Sequence, residues 1–210
     1  MSIKAYRLGP MGNNTYVILD DATDEGAIVD PSFDSDLLWP ELQAVGVKLR
    51  YVLNTHAHFD HVIGNAFYAA SAGIPIALHR DDLPLLQALP EQGRMFGVPV
   101  EPSPEPSIWL EEGKALTLGE TQIHVLFTPG HSPGHVTFLV EDAALVGDCL
   151  FAGSIGRTDL PGASQQTLLH SIRTRLLALP DETRVLPGHE AHTTIGTERA
   201  GNPFLRTMRE

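Results

Sequence analysis

Short runs of β-branched and aromatic residues, each closed by Gly, Asn or Asp, alternate along this chain with segments whose apolar positions recur every three or four residues. Residues 15–19 and 26–29 have the first character and predict two strands of an early meander. From Asp34 the period changes: Leu38, Leu42 and Val45 fall at i, i+4 and i+7, an amphipathic helix ended by Gly46. Pro40 sits near its first turn, where a proline ring is tolerated. Residues 49–53 return to a strand, 62–72 predict a helix stopped by Gly73, and 75–78 predict a short strand.

Residues 90–107 hold Pro90, Pro99, Pro102, Pro104 and Pro106, a density that neither a helix nor a central strand accepts. An irregular surface loop is expected here, a plain connector before an active-site lid. The β pattern resumes over 121–127, 136–140 and 143–146. One long helix follows, starting near Ala163 or Ser164, with Leu168, Leu169, Ile172, Leu176 and Leu179 on one face. Residues 184–186 form the last clear strand, and the tail at 202–205 is expected to pack back onto the body. This order of mixed elements fits a layered α/β architecture, with no internal repeat.

Composition narrows the picture. At 210 residues, 42% hydrophobic and 19% charged, the chain can bury a sizeable core, and one domain over 1–210 is expected. The formal charge of −12 argues against a nucleic-acid partner, which requires clustered cations. One cysteine excludes a disulfide framework and an all-cysteine zinc site. The first residues lack the apolar stretch of a signal peptide, and no run approaches the roughly 20 apolar residues that span a bilayer. A cytoplasmic protein with no membrane partner is expected.

The candidate chemistry lies in loops that follow apolar strands. Residues 55–61 read Thr-His-Ala-His-Phe-Asp-His, three imidazoles and a carboxylate that a core would not select, since each needs a partner once buried. Alternation puts His56 and His58 on one side, while Asp60 and His61 begin a helix and can face a second point. Three further strands run into Pro129-Gly130-His131, Gly147-Asp148 and Pro187-Gly188-His189. If these strands share one sheet or two facing sheets, the loops gather along one edge. The set His56, His58, Asp60, His61, His131, Asp148 and His189 exceeds what one four-coordinate zinc takes, but suits two metals sharing a carboxylate. With only N and O donors, zinc, iron and manganese all remain open, with zinc placed first.

These residues resemble the metallo-β-lactamase-fold superfamily of metal-dependent hydrolases. Residues 56–61 match its His-x-His-x-Asp-His motif, and His131, Asp148 and His189 match its later ligand positions in order. The resemblance runs from about residue 8 to 205 and implies a four-layer αββα sandwich with a binuclear site at the edge of two sheets. It further implies one metal on His56, His58 and His131, a second on Asp60, His61 and His189, Asp148 as the bridge, and Asp30 supporting the ligand shell. Within the superfamily the chain looks like the glyoxalase II group, through residues 129–135, 147–151, 153–159, 187–189 and 202–204. It looks like the short bacterial type, without the C-terminal helical domain that longer members use to hold glutathione, so the thiol half of the substrate is the open question. Gly156-Arg157-Thr158-Asp159 also resembles the persulfide dioxygenases, which use one iron, but Leu160-Pro161-Gly162 departs from them.

The resemblance implies hydrolysis of a small-molecule thioester such as S-lactoylglutathione. Two cations about 3.5–4 Å apart would lower the pKa of a shared water toward about 7, giving hydroxide for attack on the carbonyl. Thiolate leaves without a separate general acid. Asp60 is the expected catalytic carboxylate, as ligand and as acceptor from the nucleophile. Arg157 is a candidate for a substrate carboxylate, with an ion pair to Asp159 as the alternative. A lactonase or another ester hydrolase of the same fold is the further alternative. His135 is expected beside the site, and His192 could line its pocket. His79, His124 and His170 read as surface or satisfied core residues. Cys149 reads as a buried thiol, and Phe59 as packing under the site.

Overall fold

The computed structural model describes residues 1–206. The first sheet holds six strands in sequence order: β1 (Ser2–Leu8), β2 (Asn13–Asp20), β3 (Glu25–Val29), β4 (Lys48–Leu53), β5 (Ile76–His79) and β6 (Ile108–Leu110). The second contains β7 (Ala115–Leu118), β8 (Thr121–Phe127), β9 (Val136–Val140) and β10 (Ala143–Gly147), while β11 (Leu150–Phe151) and β12 (Ser154–Ile155) pair by themselves. Next come β13 (Arg184–Pro187) and β14 (Thr193–Thr194), which complete the second sheet in the order β14-β13-β10-β9-β8-β7. The helices are α1 (Trp39–Ala44), α2 (Phe59–Val62), α3 (Asn65–Ala72), α4 (Leu83–Gln87), α5 (Leu89–Met95), α6 (Gln165–Ser171), α7 (Ile195–Gly201) and α8 (Pro203–Arg206).

Alternation along the strands sorts side chains into layers. Tyr16, Ile18, Ala27, Val29 and Leu53 of one sheet meet Ile123, Val125, Phe138 and Leu145 of the other in the central core. Val17, Ile28 and Val52 point the opposite way, under Leu42 of α1 and Tyr68 of α3. Ala144, Val146 and Val185 likewise point outward, against Leu168, Ile172 and Leu176. The result is helix, sheet, sheet, helix: the αββα sandwich. Strands covered on both faces are buried almost throughout, as in β2 and β10.

Several elements differ from expectation for identifiable reasons. The helix expected over 34–45 is a 3-10 turn, Ser35–Leu38, followed by α1, with Pro40 in the first turn of α1; Val45 lies beyond it and is exposed. The helix expected over 62–72 is broken between α2 and α3, where the Gly64 N–H turns to the Pro31 carbonyl at 2.8 Å. Residues 90–95 belong to α5, because Pro90 stands at the start of that helix, where a missing N–H costs nothing. The long helix begins at the Ser164 cap, whose Oγ accepts from Thr167 N–H at 3.3 Å, and its second half is a π-helical turn, Ile172–Leu176. The tail does return: Leu205 is buried beside Leu168 and Ile195. No helix among the described residues is long and apolar enough to cross a membrane.

Candidate metal centre

Strand direction sets the site. β8 and β10 both run antiparallel to β9, and β13 runs parallel to β10, so all three end on one edge. The last strand residue of β4 leads into residues 54–58 at the same edge, where Val136 N–H donates to the Thr55 carbonyl at 2.8 Å and ties the sheets together. All seven candidates meet there. His56, His58 and His131 present ligand atoms within 4.8 Å of one another, and so do Asp60, His61 and His189. Asp148 stands between the groups, with carboxylate oxygens 3.5 Å from His61 Nε2 and 3.6 Å from both His131 Nε2 and His189 Nε2.

The hydrogen bonds leave ring nitrogens facing inward. Thr55 donates its N–H to Asp30 Oδ1 at 2.7 Å and its hydroxyl to Asp30 Oδ2 at 2.6 Å. With that hydroxyl proton engaged, His56 Nδ1, 3.0 Å away, donates to Thr55 Oγ1 and keeps Nε2 as a lone pair. His61 Nδ1 donates to Asp30 Oδ2 at 3.1 Å, and His131 Nδ1 donates to the Arg157 carbonyl at 2.9 Å. His58 Nδ1 lies 2.9 Å from His131 Nε2, so the two ring nitrogens point at one place; bound tetrahedrally to one ion at about 2.0–2.1 Å they would stand about 3.3 Å apart. Buried atoms without a hydrogen-bond partner include His56 Nε2, His61 Nε2, Asp148 Oδ1 and Asn13 Oδ1, all at this site. Each would cost about 1–3 kcal/mol left alone. Imidazole and carboxylate donors aimed at shared points therefore fit divalent cations.

Burial, reinforced by neighbouring imidazoles, pushes His56 well below the usual histidine range and His58 down to about 3. Burial opposes charge on His61 too, yet the Asp148 and Asp60 carboxylates outweigh it and hold that ring well above its ordinary value. Burial would raise Asp60, but His61, His189 and Asn13 bring it down to about 2. Asp148 is lowered by the same surrounding imidazoles. Burial thus disfavours charge on His56 and His58, while the neighbouring carboxylates favour it on His61.

Three contributors escaped the sequence reading. Asn13 Nδ2 donates to Asp60 Oδ2 at 2.9 Å and lies 3.4 Å from His189 Nε2. Asp82, fully buried, accepts from Ala57 N–H at 2.9 Å, the Ser132 hydroxyl at 2.7 Å and Gly134 N–H at 2.5 Å, which locks two histidine loops together. Gln92 of α5 accepts from Phe59 N–H at 3.1 Å and donates to the Ala57 carbonyl at 3.0 Å. The segment expected to be a connector therefore braces the site. Only Asn13, opening a strand with an amide where apolar residues follow, left a trace in the pattern.

The remaining candidates fall as follows. His135 is buried; its Nε2 accepts the Asp148 N–H at 3.2 Å, and its Nδ1 lies 3.0 Å from Thr128 Oγ1. His192 does not border the cavity; it lies against Tyr16, 3.3 Å from that hydroxyl. His124 and His170 are exposed, and His79 stacks on Phe127. The Cys149 thiol is buried, which raises its pKa. Phe59 is buried against Phe33 and Phe96, and also forms part of the cavity wall. The Arg157 guanidinium makes two bonds of 2.7 Å to Asp159.

A cavity of about 800 Å³ opens onto the centre, bordered by His58, Asp60, His131, Asp148 and His189. Its outer wall is largely apolar, from Met11, Leu85, Met95, Phe96 and Phe151.

The chain is 36% identical to the hydroxyacylglutathione hydrolase GloC of Haemophilus influenzae, with 99% of each chain covered. It is 30% identical to the human mitochondrial persulfide dioxygenase ETHE1, over 91% of this chain and 70% of that one. Among solved structures it is similar to the B3 metallo-β-lactamase BLEG-1 (TM-score 0.91, 38% identity, 97% and 99% covered). It is also similar to TTHA1623 in a di-iron-bound form (TM-score 0.88, 40% identity, 96% and 100% covered). Residues 8–189, spanning every strand-end loop described above, match the metallo-β-lactamase superfamily, and the chain belongs to that superfamily of metallo-hydrolases.

Proposed function

We propose that this chain, acting as a single domain in the cytoplasm, is a glyoxalase II-type hydrolase that cleaves a small-molecule thioester of the S-lactoylglutathione class. The observation that carries the reading is the pair of three-residue clusters beneath the cavity, with His56 Nε2, His61 Nε2 and the intervening Asp148 Oδ1 buried and unpartnered. His56, His58 and His131 would hold one ion, Asp60, His61 and His189 a second, with Asp148 between them. Bound there, two divalent cations (zinc first, iron or manganese as alternatives) supply Lewis acidity and acidify a water from 15.7 toward about 7. Asp60 borders the cavity, and its Oδ2 faces His189 Nε2 and accepts from Asn13, so the carboxylate is held where a nucleophile could donate to it. The apolar wall excludes bulk water from the carbonyl, and a thiolate leaves without a protonating residue.

The test is hydrolysis of S-lactoylglutathione by metal-loaded protein, followed by its loss on chelation and its return with zinc. No rate above buffer would remove the thioester reading. The likeness of residues 156–159 to the persulfide dioxygenases, and the 30% identity to ETHE1, support a second reading. Oxygen uptake with glutathione persulfide on iron-loaded protein would favour it.

A further inference from the structure

The thioester reading leaves unassigned the end of the substrate remote from the carbonyl. Around the cavity, the Arg157 guanidinium is taken up by Asp159, and Glu91 by Arg94. Arg7 borders the same cavity, and its guanidinium makes no ion pair and no hydrogen bond among the described residues. Among the described residues it is the one cavity-wall arginine without a carboxylate partner.

Its placement is built. The turn between β1 and β2 passes Gly12 at φ +67°, and a Cβ there would stand 3.1 Å from both Arg7 Nε and Arg7 Nη2. The Nε–Nη2 edge of the guanidinium thus faces a glycine that itself borders the cavity. Beyond the turn, Asn14 N–H donates to the Gly188 carbonyl at 2.7 Å, and its Nδ2 donates to the Pro187 and Glu190 carbonyls at 3.0 Å. The arm that carries Arg7 is therefore tied to the His189 loop. Nearby, Met11, Met95 and Phe96 are 43%, 63% and 45% exposed, half of the exposed large apolar side chains among the described residues, and all three border this cavity. Such exposure gathered at one opening marks a ligand surface.

We propose that Arg7 is a specificity-determining residue: it pairs with a carboxylate at the far end of the substrate's thiol arm, whose uncharged part lies on Met11, Met95 and Phe96. This inference rests on the thioester reading of the same site. A planar guanidinium suits a carboxylate bidentately, and an apolar surround strengthens the pair. Glu190 also borders the cavity and makes no ion pair among the described residues, so an anion is repelled from that side and directed toward Arg7.

The experiment uses S-benzylglutathione, a thioether that cannot be hydrolysed, and its dimethyl ester, titrated calorimetrically into metal-loaded wild type, Arg7→Met and Arg7→Lys. Arg7 is exposed on an edge strand, and an unchanged thermal midpoint establishes that each variant is folded. The acid is expected to bind wild type about tenfold more tightly than the ester. Arg7→Met should abolish that difference, Arg7→Lys should keep part of it, and Glu190→Gln should tighten the acid. An acid–ester difference unchanged in Arg7→Met, no difference in wild type, or no binding at millimolar ligand would each overturn the proposal. Turnover of S-lactoylglutathione is measured separately. Its absence with the Arg7-dependent difference intact would end the thioester reading and leave Arg7 as the carboxylate-binding residue of this cavity.

Discussion

Asn13 Nδ2 donates to Asp60 Oδ2 across 2.9 Å, although 47 residues separate them in the chain. Asn13 opens β2, and Asp60 lies in the first turn of α2. The strand end thereby sets the direction of a carboxylate that the histidine loop supplies. Removing the amide in Asn13→Ala frees Asp60 to rotate. Loss of such a supporting partner should lower kcat about 10–100-fold, with KM little changed. Steady-state kinetics together with metal content by mass spectrometry check this; full activity in the variant would show that Asp60 is oriented by other groups.

Gly188 leaves no room for a side chain. A Cβ there would fall 2.4 Å from Asp148 Oδ1 and 2.6 Å from His61 Cε1. Gly188→Ala should therefore displace the carboxylate between the two clusters and reduce bound metal, while far-UV circular dichroism stays native. A variant that retains the wild-type metal content would place the Asp148 carboxylate outside the centre.

Asp20 clamps the sheets at the opposite end of β2. It accepts from the Thr121 hydroxyl at 2.8 Å, Glu120 N–H at 3.1 Å and both donors of Thr23, and these bonds hold its pKa down to about 2. A carboxylate depressed from its unfolded value of about 3.9 contributes stability above that value. The contribution disappears as pH falls through about 2, when the folded form takes up its proton. Thermal midpoints of wild type should exceed those of Asp20→Asn at neutral pH and converge with them between about pH 4 and pH 2. A gap independent of pH would mean that the carboxylate charge is not what clamps the sheets.

Asp82 joins two loops that each carry candidate ligands. In Asp82→Ala the buried Ala57 and Gly134 N–H groups and the Ser132 hydroxyl lose their acceptor. Unsatisfied donors cost about 1–3 kcal/mol each, so urea unfolding should show a loss of several kcal/mol. Metal affinity should fall as well, because His58 and His131 are no longer held at 2.9 Å. A variant of wild-type stability would show that water replaces the carboxylate.

The candidate ligands were legible because their residue types are costly to bury without a purpose. Three imidazoles and a carboxylate in six positions, and three later loops of the same build, needed no structure to stand out. The main strands were legible for a related reason: 15–19, 49–53 and 121–127 are apolar or β-branched and closed by turn residues. Shorter elements were not. β6, β11, β12 and β14 span two or three residues, too few to display a period, and β1 alternates weakly because it is an edge. Pro90 misled for the opposite reason, since a proline that breaks a helix interior is at home in its first turn.

Local sequence determined which side chains can bind a cation and which segments must be strands, because both follow from the chemistry and spacing of neighbouring residues. Only the tertiary structure decided that Asn13 holds Asp60, that Asp82 joins the 57 and 134 loops, and that Arg7 faces the cavity without a carboxylate. Those hydrogen bonds link positions 25 to 52 residues apart. Distances of that kind are set by how twisted sheets stack and where their edges coincide, a property of the packed core that no short window of residues contains.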